Sequence, residues 1–180
     1  MEASLSLAGQ GIEVHLIEKN NTLGGLARKI PETIEGEDVQ SFVHELVRQV
    51  SGNNLIEVTT NAELVDCTGY VGNFLSVIKI GSAGVLKEIG HGVIVVATGA
   101  EELKPWAAYL YGEDERVKTL LELDEVINND RSLVATWNGA VFIQCVGSRD
   151  EERPYCSRVC CTHSVKNALK LKELKPDMDV

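Results

Sequence analysis

The sequence has no apolar run long enough to cross a bilayer, which takes about 20 residues. Its longest, "GVIVVATGA" at 92–100, reads as one buried strand. No charged start is followed by an apolar stretch, so no secretory signal is expected. Basic residues are in deficit: 17 Lys and Arg face 27 Asp and Glu, for a net charge of −10. Such a surface repels phosphate backbones and argues against nucleic acid as a partner. There is no internal repeat and no low-complexity segment, and no Ser–His–Asp set or carboxylate pair points to hydrolysis. Two spacings are also missing. No GxGxxG turn precedes a helix, and the cysteines follow neither the C-x2-C-x2-C of ferredoxins nor the paired CxxC knuckles of zinc ribbons.

What is present suits a folded chain. Hydrophobic residues make up 44% of 180, enough for a core in one domain or two small ones. Without an export signal the cysteines are expected in a reducing cytoplasm, where clustered thiols bind metal or do redox chemistry more often than they form disulfides.

Ala3, Leu7 and Ala8 share a helical face that Gly9 and Gly11 can end, and "IEVHLIEK" at 12–19 follows as a strand. Residues 35–51 read as a helix, since Val39, Phe42, Val43, Leu46, Val47 and Val50 form one stripe. Runs at 55–60, 62–68, 74–80 and 85–89 predict an antiparallel meander. A short helix is expected over 119–128, a buried strand over 139–147, and a helix over 163–174. "DMDV" at 177–180 resembles the opening of another strand, so both ends look cut. Cys67, Trp106 and Trp137 read as packing residues, and His163 as a surface histidine.

The first chemical feature is Glu18 at the end of a strand, where an acid can accept hydrogen bonds from ribose hydroxyls. Gly24 and Gly25 permit close backbone approach to a pyrophosphate, Arg28 can pair with its charge, and Ala97-Thr98-Gly99 ends an apolar run with small residues. Taken singly, each is equally an ordinary turn or strand end. Jointly, from residue 1 to about 100, they resemble the flavoprotein disulfide reductase superfamily. That resemblance implies an α/β, Rossmann-like FAD/NAD(P)-binding fold with an inserted antiparallel β-meander, incomplete at both ends. It implies that Glu18, Lys19, Gly24, Gly25, Arg28, the backbone of Val65, Ala97, Thr98 and Gly99 bind FAD. The missing glycine turn removes pyrophosphate donors, so weak FAD binding is expected.

The second feature is "CVGSRDEERPYCSRVCC", with Cys145, Cys156, Cys160 and Cys161 at C-x10-C-x3-C-C spacing. Four thiolates suit a [4Fe–4S] cluster or a zinc site, and spacing alone leaves both open. Arg149, Arg153 and Arg158 favour thiolates, or simply balance Asp150, Glu151 and Glu152 on a solvated loop. "FIQCVGSRDEERPYCSRVCCTHSVKNALKLKE" and "DCTGYVGNFLSVI" closely resemble the heterodisulfide reductase family, in its A-type, FAD and iron–sulfur component. The resemblance covers essentially the whole chain. It implies that the four cysteines ligate one [4Fe–4S] cluster, and that the partners are other heterodisulfide reductase subunits with a hydrogenase, formate dehydrogenase or ferredoxin as donor. It implies a partial FAD-binding domain over 1–135 and the start of a second Rossmann-like βαβ over 136–180. The competing expectation is a zinc-binding or metal-free interaction module.

Overall fold

A computed structural model describes residues 1–180. It is mixed α/β, with one parallel and one antiparallel sheet. The chain divides into two compact units, Met1–Arg28 with Ser41–Ala100 and Lys29–Gln40 with Glu101–Val180.

The first unit opens on helix α1 (Glu2–Ala8), closed by the Gly9 N–H on Leu5 O. Strand β1 (Val14–Ile17) follows. Helix α2 (Val39–Ser51) then leads to β2 (Ile56–Thr59), which pairs parallel to β1 with Val14 opposite Ile56. This corrects the expectation that 55–60 belongs to the meander. A parallel pair needs a crossover, and α2 supplies it. The stripe on α2 turns Val43, Leu46 and Val50 inward. Ala8, Leu23, Val50 and Ile56 form the core between helices and sheet.

The meander is β3 (Ala62–Tyr70), β4 (Asn73–Ile80) and β5 (Val85–His91), antiparallel in that order. Ala62, Ile78 and Ile89 pack its inner face against Ile17. The Gly69 turn has no room for a side chain: at φ 103° an added Cβ would lie 2.1 Å from Asn73 O. The register skips between Leu64 and Asp66, so Val65 sits at a bulge outside the ladder.

Two expected strands are not formed. Residues 93–99 are irregular, with Val93 71% and Val96 78% exposed. Residues 139–147 run without regular structure into the turn at 145–148 and pair only through a parallel bridge from Gly139 to Asp179. Apolar, β-branched composition supplies side chains for a strand, but a strand also needs a hydrogen-bonding neighbour along its length, and neither segment has one.

In the second unit, α3 (Leu120–Asn129), α4 (Arg131–Ala135) and α5 (Cys160–Leu174) bury Ile127, Val134, Leu171 and Met178. Residues 101–135, expected with the flavin domain, group here instead, because α3 and α4 bury their apolar faces against α5. Helix α3 begins with a capping box, in which Thr119 Oγ1 accepts from Glu122 N and Glu122 Oε2 accepts from Thr119 N. Trp137 packs against this core as expected, whereas Trp106 is 70% exposed and leans on Tyr111. No helix is long and apolar enough to cross a membrane.

Candidate functional site

The cysteine loop is built from a turn, an arginine-rich excursion and a helix start. The turn joins Cys145 O to Ser148 N at 3.2 Å, with Cys145 at φ 60° and Gly147 at φ 67°. Leu103 presses against it, because a Cβ on Gly147 would meet Leu103 Cδ2 at 1.9 Å. Arg149 N–H then donates to Tyr155 O and Arg153 N–H to Asp150 Oδ1, folding 149–155 on itself. Helix α5 begins at Cys160, so Cys160 and Cys161 occupy its first turn.

All four cysteines are free thiols. They influence one another: partial desolvation, then the neighbouring Cys160, Cys145 and Cys156 thiols, push the Cys161 pKa up. Arg158 N–H donates to Cys156 Sγ at 3.3 Å, and Ser157 Oγ lies 3.4 Å from Cys160 Sγ. No three His, Cys, Asp or Glu side chains close around a single metal ion. The four cysteines lie on one short loop and the first turn of the helix that follows it. One buried polar atom in the loop, Ser148 Oγ, has no partner in the protein.

Sequence reasoning missed the buried charges behind this loop. Asp124 on α3 is 2% exposed and accepts from Lys166 Nζ at 2.7 Å, while His163 Nε2 lies 2.6 Å from its other oxygen. Both partners lie on α5, one turn apart, so His163 is not the surface histidine expected. The pairs span 39 and 42 residues and follow no motif. Their only sequence trace is an acid inside a short amphipathic helix. Cys67 also departs from expectation: it is exposed on β3, not core.

The expected dinucleotide residues fall in the first unit. Glu18 directly follows β1, its N–H donating to Thr59 O and its carboxylate accepting from Asn20 N at 2.7 Å. Lys19 pairs with Glu63 at the start of β3. Gly24 at φ 114° is tight against Arg28 and Val43, whereas a Cβ on Gly25 would meet open space. Arg28 Nη1 donates to Leu23 O at 3.4 Å. The bulge leaves the Val65 backbone out of the ladder. Ala97, Thr98 and Gly99 are exposed, outside any strand.

The first of two CoB–CoM heterodisulfide reductase iron–sulfur A subunits of Methanopyrus kandleri is 27% identical over 273 positions, covering 100% of this chain and 41% of the relative. Along its whole length the chain is similar to A subunits of heterodisulfide reductases. The A subunit of the H2:CoB–CoM heterodisulfide,ferredoxin reductase of Methanothermobacter thermautotrophicus is 42% identical over 106 residues, or 52% of this chain and 16% of that one. A protein of Archaeoglobus profundus described as like the heterodisulfide reductase A subunit reaches 54% over 41 residues, 22% of this chain and 6% of that one. The chain thus spans about two fifths of the length of the heterodisulfide reductase subunits it matches end to end. No protein-family profile matches. Among solved structures, the L-proline dehydrogenase of P. horikoshii is 28% identical over 54% of this chain and 19% of that one, with a TM-score of 0.47.

Proposed function

We propose that the chain is the flavin- and cluster-holding portion of an electron-transfer subunit in a heterodisulfide-reductase-type complex of the cytoplasm. Its partners in this reading are the other subunits of that complex, with a hydrogenase, formate dehydrogenase or ferredoxin as electron source. The observation that carries the reading is four free cysteines within 17 residues of a chain similar throughout to heterodisulfide reductase A subunits.

Cys145, Cys156, Cys160 and Cys161 hold a [4Fe–4S] cluster. Glu18 receives ribose hydroxyls, Gly24 and Gly25 let backbone approach the pyrophosphate, and Arg28 leaves Leu23 O to meet phosphate. Lys19 adds positive charge beside Glu18. The Val65 backbone offers its free groups to the adenine, and Ala97, Thr98 and Gly99 form a second close approach. When bound, a flavin takes up an electron pair and a cluster passes single electrons. The chain's own residues bind, orient and set potentials, and none is assigned acid–base chemistry.

Iron, sulfide, zinc and flavin assays on one anaerobic preparation test this. The expected result is a brown protein with about four irons per chain, and less iron in Cys156→Ser. A colourless protein with one zinc per chain would replace this reading with a zinc-stabilised interaction module.

A further inference from the structure

We propose that the loop at 106–110 is a docking anchor for another protein, one whose surface offers an apolar pocket rimmed by Lys and Arg. Three large apolar side chains stand out together there: Trp106 is 70% exposed, Tyr109 60% and Leu110 56%. Single apolar residues are ordinary on a surface, but a contiguous group marks an interaction site. Trp and Tyr also anchor protein interfaces more than other residues do, since each brings a large, rigid area at little entropic cost.

The loop is built to hold them outward. Ala107, Tyr109 and Leu110 lie at φ 64°, 52° and 67°, the left-handed region that is costly for any residue with a Cβ. Glycine would remove that strain, and none of the three is glycine. The base beneath is rigid. Trp106 leans on Tyr111 with ring centroids 5.2 Å apart, and fills the space a Cβ on Gly112 would need. The Tyr111 hydroxyl donates to Glu122 Oε1 at 2.7 Å, and Lys104 Nζ pairs with Glu122 and Glu102 at 2.8 and 2.7 Å. Tyr109 and Leu110 belong to none of the hydrophobic cores. Strain kept beneath side chains that the fold does not use points to their use by a partner.

Charge selects the partner. Glu101, Glu113 and Glu115 are exposed and form no ion pair, Asp114 holds Arg116, and Lys118 is the one unpaired cation of the stretch. With the net charge of −10, this disfavours an anionic membrane, a nucleic acid or a second copy, and attracts a basic surface.

The test replaces Tyr109 with the photocrosslinking residue p-benzoylphenylalanine, irradiates the chain in an extract of its native cells, and maps the crosslinked peptide by mass spectrometry. The protein so identified is purified and titrated against wild type, Tyr109→Gly/Leu110→Gly and Glu113→Lys/Glu115→Lys. The expected partner peptide is apolar and flanked by Lys and Arg. Binding should weaken about tenfold or more in the glycine pair. In the lysine pair it should weaken and depend less on salt. The glycine pair should unfold at no lower denaturant than wild type, because glycine relieves the left-handed strain. Earlier unfolding would mean that these side chains serve the fold, and overturns the inference. It is overturned equally by no crosslink, by a crosslink to a second copy, by a partner peptide without basic residues, or by unchanged binding in either pair.

Discussion

Removing the Asp124 carboxylate should be among the most damaging single changes in the second unit. Asp124 is 2% exposed and Lys166 7%, so neither charge has water to fall back on. In Asp124→Leu, the Lys166 ammonium loses the 2.7 Å bond that offsets its burial. Breaking a buried pair from one side costs about 3–5 kcal/mol, because the remaining charge is stranded. The lost His163 contact adds less, since that side chain is 18% exposed and water can replace the bond. The sum is a large share of the roughly 5–15 kcal/mol that holds an ordinary domain together. Denaturant unfolding followed by Trp137 fluorescence reads it, because Trp137 packs on the same core. The double variant Asp124→Leu/Lys166→Met removes both charges, and should cost at least about 2 kcal/mol less than the two singles added. Additive losses, or a loss below about 1 kcal/mol in Asp124→Leu, would refute the reasoning.

Three further outcomes are expected. Gly69→Ala should cost about 1–3 kcal/mol in a thermal melt, because a Cβ would meet Asn73 O at 2.1 Å in a left-handed turn. Leu171→Ala, at a position with 0% exposure, should cost about 2–5 kcal/mol; a smaller loss would mean the core around Met178 collapses to fill the gap. Burial works against the Glu122 charge, but Lys104, the Thr119 N–H and Tyr111 together hold its pKa down to about 2 from 4.5. A depressed carboxylate stabilises the fold above its unfolded value and loses that support as pH falls through its folded one. Stability should thus drop between about pH 4.5 and 2, and Glu122→Gln should flatten that limb of the curve.

Helical stretches were legible because their signals are local. Val39 to Val50 repeats with the helical period, and Thr119 with Glu122 marks a start three residues apart. The hairpin strands were legible for the same reason, each bounded by glycine turns. The parallel partner of β1 was not, because residues 55–60 read alike in either sheet and only α2 decides the matter. The apolar runs at 93–96 and 139–146 misled, since composition records what a strand requires and not whether a neighbour exists. The cysteine window was plain in the sequence, but Asp124 was not. Its partners are brought to it by the packing of α3 on α5, which no local pattern encodes.

The exposed "VIVVATG" stretch bears on how copies of the chain behave toward one another in solution. It is uncharged, β-branched and free of proline, with backbone groups that no ladder occupies. Segments of this kind stack readily between molecules. What opposes stacking is the net charge of −10, a long-range repulsion that salt screens within about 10 Å at 0.1 M. Colloidal stability should therefore fall as ionic strength rises, so the chain is best handled dilute and at low salt.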